Sequence, residues 1–254
     1  VNVSSFSNRA DTALRNRTIR REVRGLIEAL ESVSTTLWPG KSEKQAGKCI
    51  LQPMLNCWIE QELVERGWTK EVAVTGVSET DGMRVDFCRK IGKRVILLEV
   101  QLGNVGRLYA DFAKFQHAQM KGNLALAITV SLTAATAKLT DSGLSTHENT
   151  LTRVAEFNDT IFEAIPVPLL CLGLSHDPSN VVDLSKSRFP HPKILSGKGA
   201  KAEIASAVEK LRRGVPVEWV GPRENAAVMV ASGRVAPRRA ATRQTARRTH
   251  LKAA

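Results

Sequence analysis

Two acids and an amide stand in a short alternating stretch of this chain. Asp86 lies in Arg84-Val85-Asp86-Phe87-Cys88-Arg89, and Glu99 and Gln101 lie in Leu98-Glu99-Val100-Gln101-Leu102-Gly103. Gly92-Lys93 falls between them, and glycine supplies the positive φ that a two-residue hairpin turn wants. A turn there sets Asp86 opposite Glu99 and Arg84 opposite Gln101. Because side chains alternate along a strand, Glu99 and Gln101 share one face. Three polar groups able to ligate would then converge beside the apolar run Val95-Ile96-Leu97-Leu98.

Carboxylates that face each other about 5 Å apart repel unless something compensates. Burying an unpaired carboxylate is costly as well, so the pair needs a proton, a cationic side chain or a metal. Arg84 or a lysine from a neighbouring helix would make the arrangement purely structural, and spacing alone leaves both readings open. A hard divalent ion fits the donors: Mg²⁺ takes one or two carboxylates and several waters, leaving room for a phosphate oxygen. Mg²⁺ held there would polarise a phosphodiester and activate a water for hydrolysis of a nucleic-acid backbone. Gln101 has no basic atom near neutrality, so its part would be to orient water.

The elements that must position these residues follow from periodicity. A helix is predicted over Thr18–Ser32, and Trp38-Pro39-Gly40 then breaks the chain. A second helix is expected over Gln52–Arg66, with Pro53 in its first turn and Gly67 closing it. Residues 71–77, 83–89 and 94–102 read as strands. A helix follows over 107–120, burying Leu108, Phe112 and Phe115. Residues 124–130 and 167–174 read as buried strands, and 147–161 and 201–213 as helices, the last closed by Gly214. This order points to an α/β protein with a central mixed β-sheet flanked by helices. Three parts are expected: an N-terminal helical segment (1–45), a core domain (46–221) and a basic, disordered tail (222–254).

At 254 residues and 43% hydrophobic, the chain is too apolar to be wholly disordered and long enough to bury a real core. Its longest apolar stretch, Leu124 to Val130, is far short of the roughly 20 residues of a membrane helix. The formal charge of +12 is unevenly placed. Residues 1–25 carry a net +4 and residues 234–254 a net +7 with no acid, leaving about +1 for everything between. Cys49, Cys57, Cys88 and Cys171 show no two-residue spacing and no clustered histidines, which argues against structural zinc. With no apolar signal stretch in Val-Asn-Val-Ser-Ser, a reducing, cytoplasmic setting is expected.

Val85-Asp86-Phe87 with Leu98-Glu99-Val100-Gln101-Leu102-Gly103 resembles the motif of the PD-(D/E)xK nucleases. Within them it is most similar to the BglII-like type II restriction endonucleases, whose last motif position is Gln rather than Lys. Leu55-Asn56, Arg66-Gly67-Trp68, Asp111, Val167-Pro168-Leu169-Leu170 and Gly173-Leu174 extend the resemblance over roughly residues 47–177. The resemblance implies Asp86 and Glu99 as metal ligands with the Val100 carbonyl as a third, and Gln101 in the position of the catalytic lysine. It implies a Mg²⁺-dependent enzyme that cuts double-stranded DNA as a homodimer at a short, GATC-centred palindrome, with a cognate methyltransferase as genomic companion. Here Asp86 and Glu99 lie 13 residues apart, a longer hairpin than the resemblance leads one to expect.

Other chemistry-bearing residues have plain readings. Glu60, Glu62 and Glu65 read as solvated helix charge, with Glu60 held in reserve as a supporting acid. His117 reads as a non-catalytic histidine and His176-Asp177 as a turn. Arg107, Lys114 and Lys121 could contact phosphates or a partner subunit, or simply face solvent. The arginine-rich tail could hold DNA non-specifically and with strong salt dependence. Two other functions remain compatible with the sequence: a structure-specific repair or recombination nuclease, and a non-catalytic basic nucleic-acid-binding protein.

Overall fold

A computed structural model describes residues 1–39, 41, 47–74, 83–103, 106–160, 166–184 and 200–215. The predicted tail, 222–254, lies outside the described residues. The chain divides into two compact units, Val1–Thr35 with Trp58–Val181, and Thr36–Cys57 with Val182–Ala254.

The first unit is built on a six-stranded mixed sheet. Its strands are β1 (Asn2–Asn8), β3 (Thr69–Ala73), β4 (Arg84–Ile91), β5 (Arg94–Gln101), β6 (Leu124–Leu132) and β7 (Leu169–Ser175), in the spatial order β1-β7-β6-β5-β4-β3. A short strand β2 (Thr35–Leu37) pairs in a separate two-stranded sheet with β8 (Val181–Asp183). The β4–β5 hairpin has the register expected from its turn: Ile91 faces Arg94 and Phe87 faces Leu98, with Gly92 at φ 58°. β5, β6 and β7 run parallel. All nine residues of β6 are buried, seven of them apolar with Thr129 and Ser131 the exceptions, as a strand covered on both faces requires.

Helices α1 (Asp11–Arg15) and α2 (Arg17–Glu31) follow β1. α2 starts at Asn16, whose side chain accepts hydrogen bonds from the Thr18 and Ile19 amides and so satisfies two otherwise orphaned donors. Its buried stripe is Ile19, Val23, Leu26, Ala29 and Leu30. α3 (Gln52–Glu65) ends at Gly67, whose φ of 82° is the left-handed conformation that closes helices. α4 (Gly106–Met120) buries Leu108, Phe112, Phe115 and Ala118 in one cluster with Val85, Leu97, Leu124 and Cys171. That packing lays α4 over the strands that carry the acids. α5 (Ala134–Ala137) and α6 (His147–Asn158) follow β6, the latter capped by the Thr146 hydroxyl.

One expectation needs correction. The N-terminal 45 residues are not simply helical, because Asn2–Asn8 pairs antiparallel with β7 along its whole length. This strand is serine-rich and mostly exposed, and backbone hydrogen bonds to β7 hold it rather than apolar alternation. The second unit contains the start of α3 and a helix over Ala200–Arg212, followed by Gly214 at φ 68°. No helix among the described residues is long and apolar enough to cross a membrane.

Candidate active site

Asp86 and Glu99 are near enough to repel, but the regular pairing stops short of the expected Asp86–Glu99 and Arg84–Gln101 pairs, and Asp86 instead binds across the strands. Phe87 facing Leu98 is the last regular pair before Asp86 and Glu99. Beyond it, the Asp86 carboxylate accepts a hydrogen bond from the Val100 amide at 2.9 Å. Asp86 is thereby fixed against β5, while Glu99 and Gln101 project on the face that also carries Leu97.

That face is covered by α4, which presents Arg107, Asp111 and Lys114 at helical spacings of four and three. The Lys114 ammonium donates to Glu99 Oε1 at 2.7 Å and to Asp111 Oδ1 at 2.9 Å. The Gln101 amide donates to Asp111 Oδ2 at 2.7 Å. The helix and the strand are thus cross-linked: Gln101 to Asp111, and Glu99 through Lys114. A Cβ on Gly103 would stand 3.4 Å from Gln101 Oε1 and 3.6 Å from Arg107 Cδ, so the next residues along are close as well.

Glu99, Gln101 and Asp111 are all buried. Burial pushes the Glu99 carboxyl up to about 9; Asp111 and Asp86 add repulsion, and the hydrogen bond from Lys114 offsets only part of this. The Asp111 carboxyl is raised too, first by burial and then by Asp86, against the pull of Lys114 and Gln101. Burial alone would weaken the Lys114 ammonium, but its two carboxylate partners outweigh that and hold it charged. Glu99 and Asp111 share the Lys114 ammonium, and Asp86 stands close enough to repel both.

Arg84 does not provide the balancing cation. It donates instead to the Glu71 backbone carbonyl. Glu60 is tied to Lys70 of β3 at 2.6 Å, and Glu62 pairs with Arg66, just past the end of its helix, at 3.8 Å. The buried Nε2 of His117 has no hydrogen-bond partner among the described residues. Asp177 accepts from the amide and hydroxyl of Ser179, which is the turn expected there. What the sequence reading missed is that Asp111 and Lys114 belong to the site. Their signal was the i, i+3 acid–lysine pair on the helix that follows the motif.

Among the described residues, no three His, Cys, Asp or Glu side chains are placed to hold a metal by themselves. Two carboxylates and a backbone carbonyl nonetheless fit a hard divalent ion whose remaining positions are filled by water.

The family model of restriction endonuclease BglII/BglIII matches residues 3–174. The chain belongs to that family. It is a sequence-specific type II restriction endonuclease, a hydrolase that cleaves DNA, and the repair-nuclease and non-catalytic readings fall away. Among solved structures it is similar to restriction endonuclease BglII complexed with a DNA 16-mer, at 17% identity and a TM-score of 0.55, over 70% of this chain and 79% of that one. Free BglII is matched at 14% identity and a TM-score of 0.48, over 70% of this chain and 81% of that one. No curated protein matches the chain. The mixed sheet with α4 across its β4–β5 hairpin is thus this restriction endonuclease's version of the BglII fold.

Proposed function

We propose that this restriction endonuclease is a Mg²⁺-dependent homodimer that hydrolyses double-stranded DNA at a short palindrome, and that Asp86, Glu99 and Gln101 form its reaction centre. The observation that carries the reading is geometric: buried Glu99 and Gln101 on β5 stand beside Asp86, which the Val100 amide holds against the same strand, and are linked to Asp111 of α4 directly and through Lys114. Asp86, Glu99 and the Val100 carbonyl would hold the divalent ion that restriction endonucleases generally use. When bound, such an ion polarises the phosphodiester and makes water a better nucleophile.

The chain's own residues prepare for that ion. Asp86 is oriented by the Val100 amide, which leaves its other oxygen for a ligand. Burial and the neighbouring acids favour a proton on Glu99, and a bound cation would favour its release. Gln101 cannot abstract a proton; held by Asp111, it presents its carbonyl oxygen to align water. The two-fold symmetry of a homodimer would match a palindromic target, GATC-centred as the sequence resemblance suggests, and a methyltransferase of the same specificity would protect the host genome.

Purified protein incubated with plasmid DNA and Mg²⁺ tests this against Glu99→Ala. Discrete fragments that disappear in the variant are expected. Smearing, or equal cleavage by both proteins, would overturn the assignment. Light scattering with and without DNA reads the oligomeric state.

A further inference from the structure

We propose that Lys114 is a catalytic residue of this enzyme, delivering from α4 the positive charge that meets the scissile phosphate. The proposal rests on the reaction centre set out above and adds to it a group that neither the hairpin nor its spacing contains.

Phosphodiester hydrolysis needs positive charge. Water adds to phosphorus and loses a proton to solvent, the bond to the leaving ribose oxygen breaks, and that oxygen takes up a proton. In between, negative charge grows on the non-bridging oxygens, and a fixed cation there stabilises the transition state more than the ground state. The hairpin offers two carboxylates and an amide, none of which can do this. Gln101 is neutral, and its amide is already committed to Asp111.

Lys114 has the position and the spare capacity. Its ammonium carries three protons, of which two go to Glu99 and Asp111, so one donor remains for a third partner. Its side chain is 18% exposed, against 4% for Glu99 and 6% for Asp111. Of the three linked side chains, that of Lys114 is the most accessible to solvent. A divalent ion held by Asp86 and Glu99 would supply part of the positive charge, and the Lys114 ammonium beside Glu99 adds a cation that belongs to the chain itself. The two existing hydrogen bonds also fix the flexible lysine in place, so little is lost to ordering it when DNA binds.

A structural role predicts something different. If Lys114 only neutralises its two neighbours, its removal lowers stability, and moving the charge elsewhere does not restore rate. The geometry provides the means to separate these. Gln101 lies on the same face as Glu99, and its amide reaches the same Asp111 carboxylate that Lys114 touches. An ammonium at position 101 would thus enter the same site from the strand side.

The experiment compares Lys114→Gln, Lys114→Arg, Gln101→Lys/Lys114→Gln and Glu99→Ala. Plasmid cleavage with Mg²⁺ is measured under single-turnover conditions at saturating enzyme. DNA affinity is measured with Ca²⁺ in place of Mg²⁺, and thermal melting reports folding. Lys114→Gln is expected to cleave about 100-fold more slowly with DNA affinity within about threefold of the parent. Lys114→Arg keeps cleavage within about tenfold, and the double variant recovers about tenfold or more over the single. Lys114→Gln cleaving at the parental rate while Glu99→Ala is inactive would overturn this proposal alone. A double variant no faster than Lys114→Gln would also overturn it, in favour of a structural role. Glu99→Ala cleaving like the parent would overturn the reaction centre itself. Should Lys114→Gln not fold, the double variant is compared with the parent instead: a folded double variant that cleaves within about 100-fold of the parent supports the proposal, and a folded one that does not cleave overturns it.

Discussion

Gln101 and Asp111 are joined by a buried hydrogen bond of 2.7 Å, the amide donating to the carboxylate. The two residues lie ten apart in sequence, one at the end of β5 and one in the second turn of α4. Asp111 also takes a hydrogen bond from Lys114, so a single helix carboxylate organises both the amide and the ammonium of the site. Asp111→Ala deprives a buried amide of its acceptor and should cost about 1–3 kcal/mol in urea unfolding. Asp111→Asn keeps an oxygen acceptor and should cost less. Because asparagine is neutral, it also removes the carboxylate that repels Glu99 most strongly. The Glu99 carboxyl should therefore titrate below about 9 in that variant, as read by carbon NMR of its side chain. An unchanged Glu99 titration would mean that burial and Asp86 account for the shift without Asp111.

Asp86 has two separable duties. It satisfies the Val100 amide, and it is proposed to bind a divalent ion. Asp86→Ala leaves that amide without a partner and loses both functions. Asp86→Asn retains an oxygen for the amide but has no charge for a cation. Both variants should lose cleavage by about two orders of magnitude or more, while only the alanine variant loses roughly 1–3 kcal/mol of stability. Cleavage by Asp86→Asn close to the parental rate would confine Asp86 to its structural duty.

The contrast between Asp86 and Lys114 shows what the sequence could reveal. The position of Asp86 relative to Glu99 depends on one local turn, and Gly92 with the alternating flanks encodes that turn. The apolar face of α4 was legible for the same reason, because Leu108, Phe112 and Phe115 recur at helical spacing. Whether Lys114 points to solvent or to Glu99 depends instead on how α4 is set across the sheet, which packing against Leu97 and Cys171 decides. Spacing within the helix carries no record of that rotation. β1 was hidden for another reason. An edge strand can be held by its backbone, so Ser4, Ser5 and Ser7 need no apolar alternation to pair with β7.

That pairing is sensitive at one point. A Cβ on Gly173 would fall 2.7 Å from Ser4 Oγ and 2.8 Å from the His147 ring. Ser4 lies at the edge and can swing away, but His147 is buried and has no such freedom. Gly173→Ala should therefore destabilise the fold by about 1–3 kcal/mol through overpacking. Hydrogen exchange should rise in β1 and at the start of α6 while β4 and β5 keep their protection. Uniform loss of protection across the sheet would show that the strain is not local.

Glu99 sets a dependence of stability on pH whose sign follows from its position. Its carboxyl is raised to about 9 in the folded protein, so between the ordinary carboxylic range and that value the folded state holds a proton that the unfolded state has released. The stability this confers is fully present at low pH and is lost as pH rises towards about 9, with a slope of at most about 1.4 kcal/mol per pH unit. Glu99→Gln keeps an acceptor for Lys114 and cannot ionise. Its unfolding free energy should therefore gain on the parent steadily from about pH 5 to about pH 9. A divalent cation that replaces the proton should flatten the parent's curve, and its own affinity should rise with pH over the same interval. Urea titrations at several pH values, with and without Mg²⁺, measure both effects. Parallel curves for parent and variant would show that Glu99 is already ionised, and that the carboxylate cluster is balanced without a bound cation.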